Sequence, residues 1–401
     1  MQRNYLSCTI KEYSQTNHHA KAPAAASRGA ASQRKEITMA RILIITTGGT
    51  IASIQSPDGL IPEMTSEQLM SHLPRIGSDI ELEIASLFHI DSTNMTADHW
   101  MQIIDTIRRN YQDFDGFVVC HGTDTMAYTA AVLSYMIQDS PKPIVLTGAQ
   151  KPIGFEITDA KANLQDSILY AADPHSKGVQ IVFAGKVIAG THGRKIRSQS
   201  FAAFGSINLP EVAEINNGHI ARYLTEGHYY KEGGICTEEE RTEAAKEGDC
   251  ADGKTSSIND AKMPVFFDKI NPSVFLLKLL PGITGEMIPE IFRHYDAIII
   301  ESFGTGGIPD SIEAALFEEL SKYSPEEKVV ALTTQVTFEG SVLNIYEVGR
   351  RIASNFKVLE SKDLTLEATM AKLMWILAEK NQSWEEIERK FYSPIALDTL
   401  H

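Results

Sequence analysis

Short apolar runs recur along the first half of the chain at 41–46, 82–88, 116–120, 143–148 and 179–184, with amphipathic stretches between them. The runs are rich in Ile, Val and Leu and too short for helices, which predicts strands buried on both faces. Residues 96–111 place Trp100, Ile103, Ile104 and Ile107 at helical spacing, and 125–137 and 160–172 follow the same period. Thr65-Ser66-Glu67-Gln68 has the form of a capping box before Leu69, Met70 and Leu73, with Pro74 ending that helix. Alternating strands and helices imply an α/β domain around a mainly parallel sheet.

The pattern breaks near residue 224. Residues 225–262 carry Gly233-Gly234, Glu238-Glu239-Glu240 and Ser256-Ser257 with few apolar positions, as expected for a flexible acidic insertion. A second α/β pattern follows, with strands expected at 274–280, 297–302 and 328–334 and helices at 284–292, 310–322, 364–379 and 384–391. The expected organisation is therefore a larger N-terminal catalytic α/β domain over 40–224, a linker with the insertion over 225–268, and a smaller C-terminal α/β domain over 269–401. Residues 1–38 are polar and rich in Ala, Ser, Lys and Arg, which fits a disordered tail or translation from too early a methionine. An organelle transit peptide fits less well, given Glu12, Glu36 and His18-His19.

Composition narrows the function classes. A net charge of −15 over 401 residues opposes a broad nucleic-acid footprint. No apolar run approaches the roughly 18 residues that a bilayer span needs. The four cysteines form no C-x-x-C pair, which fits a reducing, cytoplasmic compartment; a Cys236–Cys250 disulfide has no support beyond proximity in sequence. The twelve histidines show no metal-ligand spacing.

Two turns carry the candidate chemistry. Thr46-Thr47-Gly48-Gly49-Thr50-Ile51-Ala52-Ser53 and His121-Gly122-Thr123-Asp124-Thr125-Met126 each follow a predicted strand, where open α/β sheets bind ligands. The first matches neither G-x-x-x-x-G-K-[ST] nor G-x-G-x-x-G, so a plain strand-to-loop turn and a threonine nucleophile both remain open. In the second, Thr123 and Asp124 suit either a helix cap or a cleft that holds an ammonium group. Arg194-Lys195-Ile196-Arg197 suits a solvated loop, or a lysine set beside a carboxylate to activate a hydroxyl. Cys120, His121 and Tyr128 read as structural.

Taken in order, these motifs resemble the bacterial-type L-asparaginases, nearest their cytosolic type I-like branch. The similarity rests on the first turn, Asp91-Ser92-Thr93-Asn94-Met95, the run from Asp115 to Tyr128, Pro143 to Ala149, Arg194 to Ser198, and Glu367 to Trp375. It spans about residues 40–395. The resemblance implies Thr50 as nucleophile, Thr123, Asp124 and Lys195 as a second triad, and Asp124 as the anchor for a substrate α-ammonium. It also implies Ser92 and Thr93 at the substrate carboxylate, Ala149 facing the amide through its backbone, and no metal or organic cofactor. The implied activity is hydrolysis of L-asparagine to L-aspartate and ammonia by a homodimer or homotetramer. The glutaminase component of a tRNA-dependent amidotransferase and a non-catalytic asparagine-binding protein are the alternatives. The first carries an added folded N-terminal domain, for which 1–38 is short and polar; a pure binder needs no activated hydroxyl. The chain departs from the pattern twice. Leu60 stands where family members commonly place a lid tyrosine, and Gly306-Gly307 stands where some relatives present a polar side chain to a neighbouring subunit.

Overall fold

A computed structural model describes residues 39–56, 59–61, 68, 71–72, 79–224, 263–343 and 347–399. The tail, the 225–262 insertion with both of its cysteines, and most of the 65–74 helix with its capping box lie outside the described residues.

The first half supplies β1 (Ala40–Gly48), the hairpin β2 (Ile54–Ser56) and β3 (Gly59–Ile61), β4 (Ile80–Ile90), α1 (Ala97–Asn110), β5 (Gly116–Cys120), α2 (Met126–Met136), β6 (Ile137–Gln138), β7 (Pro143–Thr147), α3 (Ala160–Ala172) and β8 (Gly178–Phe183). After them come β9 (Lys186–Ala189), β10 (Gly193–Lys195), β11 (Phe204–Ser206), β12 (Ala213–Asn216) and β13 (His219–Arg222). Eight of these strands form one sheet in the order β13-β12-β9-β8-β7-β5-β1-β4, parallel from β4 to β8 and antiparallel beyond.

Side-chain alternation divides the core. Leu43, Ile45, Phe117 and Val119 face α1 and α2, whereas Ile42, Ile44, Val118 and Cys120 face α3. Burial on both faces holds for β1, β5, β7 and β8. It fails for β4, where every residue is half-buried or exposed, because β4 is an edge strand with only β1 beside it. The α2 helix is buried all round, pressed between the sheet and a helix from the second half of the chain.

That second half supplies β14 (Val265–Phe266), β15 (Val274–Lys278), α4 (Ile288–His294), β16 (Ala297–Ser302), α5 (Asp310–Leu320), β17 (Val329–Thr334), α6 (Glu347–Asn355), β18 (Leu359–Glu360), α7 (Leu366–Ile376) and α8 (Trp384–Tyr392). A four-stranded parallel sheet, β15-β16-β17-β18, has its own core of Ile298, Ile300, Phe292, Ile312 and Leu332. The chain is thus α/β with a larger, parallel-dominated sheet and a smaller second sheet. Its two halves share one apolar cluster, since α7 packs on α2. Among the described residues no helix is long and apolar enough to cross a membrane.

Candidate active site

Strand order locates the site. From β1 the chain moves to β4 on one side and then to β5, β7 and β8 on the other, so the connections part between β1 and β5. In an open α/β sheet the crevice off the carboxyl ends of two such strands is where ligands bind. The two threonine turns leave those strands.

Glycines let three loops meet there. Gly48 and Gly49 have φ of 102° and 74°, a left-handed region that other residues resist. A Cβ on Gly49 would stand 2.4 Å from the backbone of Gly122, and one on Gly122 would stand 2.6 Å from Ser92 Oγ. The Thr50 turn therefore lies backbone to backbone on the Thr123 turn, which lies on the Ser92 turn. Thr47 ties the first pair by donating to the Cys120 carbonyl at 3.0 Å, and Thr125 ties the second by donating to the Ser92 carbonyl at 2.8 Å. Thr125, rather than Thr123 or Asp124, occupies the N-cap position of α2.

The second turn meets a lysine. Lys195, at the end of β10, donates to Thr123 Oγ1 at 2.8 Å and to Asp124 Oδ1 at 2.6 Å. The Lys195 side chain is 18% exposed and that of Asp124 is 58% exposed, so the carboxylate opens on solvent as well as on the ammonium. Of the two readings of Arg194–Arg197, the solvated loop does not hold at its start: Gly193–Lys195 is a short strand paired with β11, with Lys195 opposite Phe204. Thr123 is buried and spends its own hydroxyl proton on Gln150 Oε1 at 3.2 Å. Sequence reasoning overlooked Gln150, which also donates through Nε2 to the Ser200 carbonyl at 3.2 Å. Its signal was an uncharged polar residue directly after Ala149 at the end of a buried strand.

Ala149 is fully buried, and its loop is held by Asp159, whose carboxylate accepts from the Gln150 and Lys151 backbone N–H groups at 2.9 and 3.1 Å. Asn163 adds a bond to the Gly148 carbonyl at 3.0 Å. Ser92 is buried at the start of a 3-10 turn. Thr93 is less available, because both its N–H and its hydroxyl donate to Asp91 Oδ1 at 2.9 Å. Thr50 opens the 3-10 turn after Gly49, with Ser53 closing it by donating to the Gly49 carbonyl at 2.9 Å. None of these bonds reaches the Thr50 hydroxyl. The backbone of Leu60 pairs with Gln55 in the following hairpin, while its side chain lies outside what is described.

The groups beneath the site are inert. Burial pushes the Cys120 thiol up to about 12 and the His121 imidazole down to about 4. His121 Nδ1 lies 2.7 Å from the Gly122 carbonyl and Nε2 lies 2.9 Å from Thr129 Oγ1, which itself accepts from Trp100 Nε1 at 2.9 Å. One neutral tautomer satisfies that whole chain of bonds. Burial likewise raises Tyr128 to about 12, with Glu367 adding to the shift. Among the described residues no group of three or more His, Cys, Asp or Glu is disposed to hold a metal ion.

Most of the chain is similar to known proteins. The family model "Asparaginase, N-terminal" matches residues 41–226, and "Glutaminase/Asparaginase C-terminal domain" matches residues 273–391. An L-asparaginase of Thermococcus kodakarensis is 31% identical over 350 residues, which is 87% of this chain and 96% of that protein. A component of the glutamyl-tRNA(Gln) amidotransferase of Methanosphaera stadtmanae is also 31% identical, over 86% of this chain and 74% of that protein. The solved structure of the thermostable Thermococcus kodakarensis L-asparaginase superposes with a TM-score of 0.74 at 30% identity, covering 89% of this chain and 98% of the other.

Proposed function

The chain belongs to the asparaginase family, and from that premise we propose that it is a cytoplasmic L-asparaginase, converting L-asparagine and water to L-aspartate and ammonia. The observation that carries the proposal is the contact of Lys195 with both Thr123 and Asp124, one glycine-to-glycine contact away from Thr50. Asp124 supplies a half-exposed anion for the substrate ammonium, and Ser92 supplies a hydroxyl for its carboxylate. With both ends fixed, the side-chain amide points to the floor between Thr50 and Ala149.

In this scheme Thr50 Oγ1 attacks the amide carbon. The C–N bond breaks, the nitrogen takes up a proton, ammonia leaves, and a Thr50 ester remains. Water then attacks that ester, regenerating the hydroxyl and releasing L-aspartate. Backbone N–H groups at the Thr123 turn are the oxyanion donors, each commonly worth about 3–4 kcal/mol in such sites. The Lys195–Thr123–Asp124 triad handles the protons. No residue of the scheme calls for a cofactor. A homodimer or homotetramer is the proposed assembly.

The amidotransferase relative, matching as well as the L-asparaginase, favours L-glutamine as a second reading. One extra methylene changes discrimination in a pocket by only about 1–3 kcal/mol. Ammonia release from each amide by purified protein, alongside Thr50→Ala, tests both readings. Turnover of asparagine in preference to glutamine, lost in Thr50→Ala, is expected. Preference for glutamine would favour the second reading. Binding of asparagine without turnover would sink the enzyme, and full activity in Thr50→Ala would sink the nucleophile.

A further inference from the structure

Lys195 stands three positions after a knot of buried bonds that the proposed chemistry does not use. Just before β10, Thr191 Oγ1 donates to the Ala396 carbonyl at 3.0 Å. His192 is fully buried, and its Nδ1 and Nε2 lie 2.5 Å from the carbonyl oxygens of Ile207 and Leu397. The Ile207 N–H returns a bond to the His192 carbonyl at 2.9 Å, and Thr365 Oγ1 donates to the Thr191 carbonyl at 2.9 Å. The backbone entering β10 is therefore held on one side by the end of β11, through the Ile207 N–H, and on the other by the segment Ile395–Asp398, through Thr191; a His192 ring with one N–H adds a bond to one of its two facing carbonyls.

That segment is itself clamped. The Asp398 carboxylate is fully buried; it takes Lys372 Nζ at 2.6 Å, the Tyr135 hydroxyl at 2.9 Å and the Ile395 N–H at 2.9 Å. Lys372, also fully buried, donates a second bond to the Ser393 carbonyl at 2.9 Å. Ala396 and Leu397 hold φ of 51° and 64°, which non-glycine residues adopt only where their surroundings over-determine them. Those two strained residues present their carbonyls to Thr191 and His192. Tyr135 comes from α2, whose first turn follows Thr123, and Lys372 comes from α7. The segment thus joins the elements that carry both halves of the lysine–threonine contact.

We propose that Ile395–Asp398, locked by Lys372 and Tyr135, sets the position of β10 and so holds Lys195 against Thr123; Thr191, His192 and Asp398 are positioning residues for the reaction. This rests on the role given to Lys195 above. A lysine nitrogen displaced by about 1 Å can cost a rate of roughly hundredfold.

The test uses Thr191→Val in the full chain, a chain ending at Ser393, whose new terminal carboxylate can take Lys372 Nζ in place of Asp398, and that shortened chain carrying Lys372→Met, which removes the ammonium. Readouts are kcat and KM for the amide substrate and backbone hydrogen exchange at 192–195 and across α3. In the shortened forms kcat is expected to fall roughly hundredfold at unchanged KM. Exchange should rise at 192–195 while α3 stays protected, and an added peptide spanning 394–401 should restore both. Thr191→Val should show the same pattern, weaker. An undiminished kcat in a folded shortened chain, or protection lost evenly throughout, would overturn the proposal. If Lys195→Met itself leaves kcat intact, the functional reading fails instead, and the exchange pattern still judges the mechanical link.

Discussion

Gly122→Ala probes the seam where the three loops meet. The added Cβ would stand 2.7 Å from Ser92 Cβ and 3.2 Å from Ser92 N, so Ser92 must retreat by about 0.7 Å to reach the 3.4 Å of ordinary contact. Rotating the hydroxyl away does not suffice, because the Ser92 backbone is in the path and is pinned through its carbonyl by Thr125 and Met95. Overpacking of this kind costs about 1–3 kcal/mol of stability. A displacement approaching 1 Å in a group that binds substrate costs up to about hundredfold in rate. The expected result is a kcat/KM lowered about ten- to hundredfold, carried mainly by KM because the Lys195–Thr123 contact is untouched. Gly49→Ala should be far worse, since its Cβ would meet the Gly122 backbone at 2.4 Å from a φ of 74°. Gly154→Ala is the control: nothing lies within 4 Å of its added methyl, so stability should hold or rise by about 0.4–1 kcal/mol. Steady-state kinetics with urea unfolding on the three variants decides the matter. A Gly122→Ala enzyme with wild-type KM and stability would refute the close packing of the turns.

Lys195→Met should lower kcat by about 10²–10⁴-fold and leave L-aspartate binding through Asp124 and Ser92 measurable by calorimetry; retained turnover would remove lysine from the chemistry. Gln150→Leu frees the Thr123 hydroxyl proton from its acceptor, and loss of one such bond, about 1 kcal/mol, should appear as a kcat several-fold lower with a shifted pH–rate profile. A profile identical to wild type would make Gln150 a bystander. His121 sets a pH dependence of stability. Its folded value of about 4 lies below the usual 6.5, so the unfolded chain binds more protons between those limits. The contribution, about 3 kcal/mol by linkage, is complete above pH 6.5 and is lost as pH falls towards 4. Urea unfolding from pH 4 to 7 should therefore show a flatter curve for His121→Asn than for wild type.

Most of the sheet was legible because apolar runs and helical periods answer to burial, and burial is what the packed core imposes. The β4 run misled because hydrophobicity alone does not tell an edge strand from a central one; the order of strands decides that, and order is set by connections. The site divided along similar lines. Thr123, Asp124 and Lys195 were readable from ordered motifs, although only the fold shows that Lys195 arrives on a strand. Gln150 and Asp159 were missed because one accepts from a buried hydroxyl and the other holds a loop, and a lone glutamine or aspartate near a turn has no distinctive spacing. The grip of Ile395–Asp398 on Thr191 and His192 links residues about two hundred positions apart through backbone carbonyls, which leave no mark on residue type.

The two threonines therefore differ in what the structure does for them. Thr123 is buried, bonded to Lys195 and Gln150, and backed by β10, so its geometry is fixed before any substrate arrives. Thr50 is half-exposed, at the head of a 3-10 turn whose hairpin extension places Leu60 opposite Gln55. Leucine neither takes nor gives a proton, so any base for the Thr50 hydroxyl must come from elsewhere. The fixed side of the site is the Lys195–Thr123 pair, joined to the Thr50 turn through Gly49 and Gly122. Preorganised groups act without rearrangement at the moment of reaction. The division predicts that loss of Lys195 depresses kcat for every amide the enzyme accepts. Changes in 54–61 should instead alter which amide it accepts, seen as unequal shifts in kcat/KM for asparagine and glutamine. Equal shifts for the two substrates in a Leu60→Tyr variant would place the hairpin in the chemistry after all.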